Sequence, residues 1–374
     1  MLDAGRHPKI DILAYSEVKK VTGEVGNFTV EVLKKARYVK EDVCNACGDC
    51  VEKCPVRKIP DAFDMKLRNR RAIYLFFSQG IPAVMTIDKD HCIYLTKGKC
   101  GVCQKVCQKG AIDYEQKDET VTLNVGAIIV ATGLDIFDPS PLTQYGYGRL
   151  PNVITGLEYE RLINATGPTG GHLKRNSDGK LAQRVAYLQC IGSRDLNNCA
   201  WCSSVCCMYS IKDAMLAREH DPQSVSYIFH TDFRNVGKWF QKYEIRGREE
   251  YGINYIRGRV AEITEDKDNN PVLWYEETET RRVKSLAVDM AVLATAAMPG
   301  RGLGKLAKIL RVKLDRHGFI RNGLPYPTDT SVPGIFACGF CTGPADIPES
   351  ATQASAAANR AAEVVFSESI KRSA

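Results

Sequence analysis

Cys44-Asn-Ala-Cys47-Gly-Asp-Cys50-Val-Glu-Lys-Cys54-Pro55 is an unbroken C-x2-C-x2-C-x3-C-P run. Three thiolates at two-residue gaps wrap a loop around one corner of a cubane iron–sulfur cluster, while the fourth, starting the next turn, points away toward a second cluster. Outward from this run the cysteines stay grouped: eight lie between Cys44 and Cys107, five between Cys190 and Cys207, and two at Cys338 and Cys341, fifteen in 374 residues. That length predicts about two or three domains. A chain 44% hydrophobic and 25% charged is globular and soluble, which excludes disorder and fibre. The longest apolar stretch, VGAIIVATG at 125–133, falls far short of the ~20 residues of a membrane span. The opening MLDAGRHPKI has no secretory pattern, so a cytoplasmic protein is expected. In that compartment clustered thiols imply metal or redox chemistry rather than disulfides. The net charge of +7 is spread along the chain, favouring acidic protein partners over nucleic acid.

A second set, Cys92, Cys100, Cys103 and Cys107, repeats the motif with a stretched first gap and is followed by Ala111-Ile112, as in half of a bacterial ferredoxin. Two halves imply two [4Fe-4S] clusters. By the crossed ligation of two-cluster ferredoxins, Cys44, Cys47 and Cys50 pair with Cys107, and Cys92, Cys100 and Cys103 with Cys54. Structural zinc is the alternative, but zinc ribbons separate their C-x2-C knuckles, whereas here three ligands crowd one loop. Gln108 replaces the proline that usually follows the last cysteine, which leaves the turn freer and the cluster wetter.

Residues 185–194, VAYLQCIGSR, read as a buried strand entering a glycine turn. Cys199-Ala-Trp-Cys202-Ser-Ser-Val-Cys206-Cys207 and a helix through about Glu219 follow. Strand, turn and helix open a nucleotide-binding unit, yet thiols stand where G-x-G-x-x-G would receive a diphosphate. Cys190, Cys202, Cys206 and Cys207 are the preferred ligands of a third, irregular cluster, with Cys199 spare; buried small side chains are the alternative. Cys338 and Cys341 are expected to be structural or to lie near a cofactor. His91, beside Cys92, is expected to be solvated or supporting rather than a ligand.

Around the cysteine-rich insert the chain has β character at 10–15, 28–32 and 120–123, then the apolar run Ala127-Ile-Ile-Val130-Ala131-Thr132-Gly133. Strand-Ala-Thr recurs at 290–296, and Ser331-Val-Pro-Gly-Ile-Phe-Ala-Cys338-Gly339 comes late. In this order the motifs resemble two-dinucleotide-domain flavoproteins of the thioredoxin reductase type. Asp346, Ile347, Pro348 and Ser350 precede an alanine-rich helix to about Ile370, whose N-terminus either faces a flavin or is simply packed. The candidate flavin contacts are therefore Ala131, Thr132, Gly133, Gly339, Asp346, Ile347, Pro348 and Ser350. Gly300-Arg-Gly302-Leu-Gly304-Lys305 has the wrong spacing for a dinucleotide loop and reads as a loop only.

With these parts placed, the chain resembles the A-type iron–sulfur subunits of the heterodisulfide reductases. The likeness rests on HPKIDILAYSEV, VGNFTVEV, CNACGDCVEKCP, AIIVATG, LQCIGSRD, CSSVCCMY and GPADIPESATQASAAANRA, from about His7 to about Ala362. It implies an α/β, thioredoxin-reductase-like flavoprotein carrying an inserted two-cluster ferredoxin, with a third cluster on Cys190, Cys202, Cys206 and Cys207. It also implies FAD, where electron pairs become single electrons, in some members by flavin-based bifurcation. The family's N-terminal glycine-motif region and its C-terminal ferredoxin are expected to be missing here: a neighbouring chain supplies the other half of the FAD site, or FAD binds without it, or the sequence is a fragment of a longer protein, and the first is preferred.

The resulting expectation is an oxidoreductase subunit that works within a complex. Its domains are residues 1–34 of an FAD domain, a ferredoxin insert at 35–117, a return at 118–150, a cluster-bearing NAD-domain-like region at 151–300, and the C-terminal FAD part at 301–374. Expected partners are heterodisulfide reductase B- and C-like subunits and hydrogenase or dehydrogenase electron-input subunits. The alternatives are a self-contained NAD(P)H-dependent flavin oxidoreductase and a flavin-free iron–sulfur wiring module. No catalytic residue is assigned.

Overall fold

The computed structural model describes residues 2–323 and 325–373. The chain divides into two compact units, Met1–Gly126 and Ala127–Ala374. In the first, β1 (Ser16–Glu24), β2 (Asn27–Lys34) and β3 (Glu119–Val125) form an antiparallel sheet in the order β1-β2-β3. The 84 residues from Lys35 to Asp118 leave this sheet after Lys34 and return opposite it, since Lys34 pairs with Glu119. They hold three short helices, α1 (Asp49–Lys53), α2 (Ile93–Lys97) and α3 (Val102–Val106), around a core of Val39, Ile59, Ile73, Ile87 and Ile112.

Residues 10–15, read above as a strand, are irregular. The ladder with β2 ends at Ser16↔Lys34, and Tyr15 takes φ 55°, a left-handed conformation that turns the backbone out of the sheet.

The second unit is an α/β fold. Its main sheet holds β5 (Val153–Thr155), β6 (Arg184–Ile191), β7 (Val225–His230), β8 (Asn254–Glu265), β9 (Pro271–Glu277), β10 (Arg282–Ala287) and β11 (Met290–Thr295), in the order β5-β11-β6-β7-β8-β9-β10. β5, β11, β6, β7 and β8 run parallel, and β8, β9 and β10 form an antiparallel meander. β6 and β11 are nearly continuous apolar runs because both faces are covered. Helix α4 (Gly156–Ile163) follows β5 through a capping box. The Thr155 hydroxyl accepts from the Glu158 N–H at 3.3 Å, and Glu158 accepts from the Thr155 N–H at 2.6 Å.

Helices α5 (Cys206–His220) and α6 (Phe240–Glu249) follow β6 and β7. A separate parallel pair, β4 (Ile128–Val130) and β12 (Ile335–Ala337), is packed by the long helix α8 (Ile347–Ser373), whose Ala357 is fully buried against Phe336 and Cys338. The stretch 300–305, read above as a loop, turns at Gly300 and then opens α7 (Leu303–Leu310). Leu303, Ala307 and Leu310 form the buried stripe that a 3.6-residue period produces.

Candidate functional site

Both halves of the insert build their cysteine loops alike. In Cys47-Gly48-Asp49-Cys50 and Cys100-Gly101-Val102-Cys103 the glycine has φ 95° and 81°, immediately before α1 and α3. Side-chain-bearing residues are strained there. Cys54 and Cys107 stand at the C-caps of those two helices, which pack on each other.

The cysteines divide between two cavities. Cys44, Cys47, Cys50 and Cys107 line one of about 80 Å³ with Val39, Met85 and Ile112. Cys54, Cys92, Cys100 and Cys103 line another of about 20 Å³ with Ile73, Ile87, Tyr94 and Tyr114. Each set thus takes three sulfurs from one half-motif and the C-cap sulfur of the other. Among the described residues no three His, Cys, Asp or Glu side chains converge as ligands of one ion. Four sulfurs around one cavity are the donor set of an iron–sulfur cluster, which takes one thiolate per iron.

Burial, with Cys103, Cys44 and Cys47 nearby, pushes the Cys50 thiol up to about 12. Burial also raises Cys103, against the pull of the Tyr114 hydroxyl. Several thiolates can share such a place only beside compensating positive charge.

Spacing does not single out the side chains that hold these sulfurs. The Tyr114 hydroxyl lies 2.9 Å from Cys103 Sγ, and its ring stacks on Tyr94 at a centroid distance of 3.8 Å. The Ala111 N–H donates to Cys107 Sγ at 3.3 Å, and Arg71 donates to the Cys54 carbonyl. His91 is exposed, with Nδ1 3.0 Å from an Asp88 carboxylate oxygen.

In the second unit, β6 slips register against β11 between Leu188 and Ile191, and Cys190 adopts φ 62° at the slip. Cys206 and Cys207 open α5. Cys190, Cys202, Cys206 and Cys207 lie close enough to influence one another's charge. Cys199 is elsewhere in the loop: its N–H donates to Gly192 at 3.0 Å and its carbonyl accepts from Asp195 at 3.0 Å. Cys207 is drawn down to about 7 by the Cys206 S–H and the Arg234 backbone N–H, against burial, while Cys206 is raised. Burial and Cys207 raise Cys190, and Arg194 opposes them.

The Gln189 amide, one residue before Cys190, and the Ser210 hydroxyl, one helical turn beyond Cys206, are buried with no hydrogen-bond partner among the described residues. Such orphaned groups fit a bound cluster whose sulfurs accept hydrogen bonds. Beside Cys190 a cavity of about 170 Å³ opens at the ends of β6 and β7, lined by Tyr145, Arg194, His230 and Arg259.

The proposed flavin contacts gather at the carboxyl ends of β4 and β12, where open parallel sheets place ligands. Ala131, Thr132 and Gly133 follow β4, and Gly133 has φ 68°. Gly339, with φ 71°, follows β12; its N–H donates to Gln353 Oε1 at 2.8 Å, which brings the early turns of α8 to the strand end. Asp346 and Glu349 cap α8 reciprocally: the Asp346 N–H donates to Glu349 at 2.9 Å and the Glu349 N–H to Asp346 at 2.8 Å. This D-x-x-E signature was readable in the sequence. Ser350 abuts Gly339, while Ala131, Thr132, Ile347 and Pro348 are exposed. Cys338 and Cys341 are buried beneath these loops, and Cys341 Sγ lies 3.3 Å from the carbonyl oxygens of Val130 and Cys338.

These features define a cysteine-rich α/β redox protein. No family model matches the chain. The chain is nevertheless a homologue of the A-type iron–sulfur subunits of heterodisulfide reductases. It is 44% identical over 363 residues to that of the CoB–CoM heterodisulfide reductase of Methanocaldococcus jannaschii, covering 96% of this chain and 54% of that protein. It is 46% identical over 366 residues to the second such protein of Methanopyrus kandleri, covering 97% and 55%. To the A-type subunit of the H(2):CoB-CoM heterodisulfide,ferredoxin reductase of Methanothermobacter thermautotrophicus it is 43% identical over 365 residues, covering 97% and 54%. The chain therefore spans about half the length of these relatives.

Solved thioredoxin reductases are similar at a distance. That of T. acidophilum gives a TM-score of 0.42 at 18% identity, covering 68% of this chain and 69% of that one. That of Lactococcus lactis gives 0.41 at 17%, covering 79% and 86%. Among the described residues no helix is long and apolar enough to cross a membrane.

Proposed function

We propose that this chain is the flavin and iron–sulfur electron-transfer part of a heterodisulfide-reductase-like complex, an oxidoreductase subunit built on a thioredoxin-reductase-like plan. Two [4Fe-4S] clusters are held by Cys44, Cys47, Cys50 with Cys107 and by Cys92, Cys100, Cys103 with Cys54. A third is held by Cys190, Cys202, Cys206 and Cys207. FAD rests on the Ala131-Thr132-Gly133 and Gly339 loops and the Asp346-Ile347-Pro348 start of α8, where Ser350 supports Gly339. Bound there, FAD exchanges electrons in pairs and releases them singly.

The chain's own residues give those electrons a route. Tyr114 and the Ala111 N–H hold sulfurs in place, and Val39, Met85, Ile112, Ile73 and Ile87 wall the inner sides of the two cavities while Cys47 and Cys100 stand exposed at their outer edges. The name of the Methanothermobacter relative joins a heterodisulfide and a ferredoxin as acceptors, which supports division of each pair between two acceptors here as well. Hydrogenase- or dehydrogenase-like subunits feed the chain, and B- and C-like subunits drain it. The insert at 35–117 is one domain of this plan. Residues 1–34, 118–150 and 301–374 build the FAD domain, and 151–300 the cluster-bearing one.

The observation that carries this reading is the sorting of eight cysteines into two cavities that each borrow one sulfur from the other half-motif. Oxygen-free protein should contain iron and labile sulfide for three clusters, about twelve of each per chain, and flavin absorbance in the complete complex. Cys107→Ser should disturb the electron paramagnetic signal of the Cys44 cluster, and Cys54→Ser that of the Cys92 cluster. Zinc in place of iron would overturn the assignment. Iron without flavin in the complete complex would leave a wiring module.

A further inference from the structure

The segment after β7 carries an exposed apolar and basic patch that the cofactor assignments do not use. Val236 is 78% exposed and Trp239 61%. Isolated exposed aliphatic residues are ordinary, but a tryptophan largely in water is an unusual use of the largest apolar side chain. Its backbone sharpens the point. Trp239 is the N-cap of α6 with φ 76°, a left-handed conformation in which a bulky residue is an outlier and glycine or asparagine would be less strained. Local stability does not account for a tryptophan at this position.

The patch is positively charged. Lys242 Nζ lies 4.0 Å from the Trp239 ring centroid and Lys238 Nζ 5.5 Å. Three of the carboxylates around this segment are engaged: Glu244 meets Arg248 at 3.6 Å, Glu250 meets Arg246 at 2.9 Å, and Asp232 pairs with both Arg194 and Arg234. Among the described residues neither lysine is paired with a carboxylate, so both present their charge beside the indole.

This segment also adjoins a cluster site. Asp232 pairs with Arg194, which lines the same cavity as Cys190 and Thr231, and Trp239 follows Asp232 by seven residues, no more than about 25 Å of extended chain. Exposed tryptophan, flanking cations and a nearby redox centre are the parts of an electron-exchange interface: an aromatic anchor gives affinity, and charge gives encounter rate.

We propose that Val236, Trp239, Lys238 and Lys242 form the docking surface by which an acidic one-electron carrier protein delivers electrons to the cluster on Cys190, Cys202, Cys206 and Cys207. The inference rests on the third cluster proposed above. One electron leaves the carrier's reduced centre and one arrives at the cluster; no bond is made or broken and no proton need move.

The test uses the oxygen-free holoprotein and a reduced plant-type [2Fe-2S] ferredoxin as the acidic probe, with cluster bleaching followed by stopped flow across ionic strength. Trp239→Ala and the double variant Lys238→Glu/Lys242→Glu should each slow reduction about tenfold at low salt. The double variant should also lose the acceleration that low salt gives the native chain, and Lys238→Gln/Lys242→Gln should fall between. Reduction by dithionite, too small to need docking, should keep its native rate in every variant, showing that cluster and fold are intact. Native ferredoxin rates and salt dependence in these variants, or failure of the probe to reduce the native chain, would overturn the docking surface alone. Absence of a third cluster by iron count and paramagnetic resonance would overturn the functional reading and this inference with it.

Discussion

Tyr114→Phe should lower the reduction potential of the Cys54, Cys92, Cys100 and Cys103 cluster. The hydroxyl lies 2.9 Å from Cys103 Sγ, and once that sulfur is an anionic ligand the O–H donates to it. A hydrogen bond to a charged group contributes about 1.5–3 kcal/mol, but only the part that differs between the two oxidation states moves a potential. If about a third of the bond differs, ~0.5–1 kcal/mol is at stake, which is ~20–40 mV for one electron. The direction is negative because donation favours the more negatively charged, reduced cluster. Phenylalanine preserves the stacking on Tyr94 at 3.8 Å, so the cavity wall survives. Redox titration monitored by paramagnetic resonance, with the Cys44, Cys47, Cys50 and Cys107 cluster as internal reference, measures the shift. An unchanged potential, or equal shifts in both clusters, would refute the reasoning.

Two further outcomes follow from the second unit. Thr155→Ala removes the hydroxyl half of the α4 capping box and one of the two hydroxyls that donate to the buried Glu158, the Tyr147 hydroxyl remaining; the cost should be about 1–2 kcal/mol, seen as a loss of about 2–8 °C in the thermal midpoint of this unit. His230 is held down to about 4 by burial and by Arg257 and Arg248, against an ordinary 6.5. Between those values the unfolded chain binds a proton that the folded chain refuses, so stability should fall as pH drops from about 6.5 toward 4. His230→Gln should flatten that part of a denaturant-midpoint profile, and an equally steep fall in the variant would count against the assignment.

Much of the site was legible because cysteine spacing is local information. C-x2-C-x2-C specifies which sulfurs share a loop, and the glycines at 48 and 101 sit where the backbone must turn left-handed. The continuous apolar runs of β6 and β11 were equally direct, since strands covered on both faces have no polar side to show. Spacing carries nothing about partners brought together by folding. Tyr114 at Cys103 and Gln353 at Gly339 come from outside the motif or from another element. The irregular course of residues 10–15 was hidden for a related reason: their composition suits a strand, but the available partner, β2, ends its ladder at Lys34. At 300–305 the glycines drew attention away from the Leu303, Ala307 and Leu310 stripe that makes α7.

The exchange of Cys54 and Cys107 between the two cavities binds the halves of the insert into a single assembly unit. Iron built into either cavity would fix the end of a helix whose other residues belong to its neighbour, so the first loading prepares the second. Maturation should then approach all-or-none behaviour, with molecules carrying one cluster scarce at every stage of iron supply, and neither half could be cut out as a working one-cluster miniature.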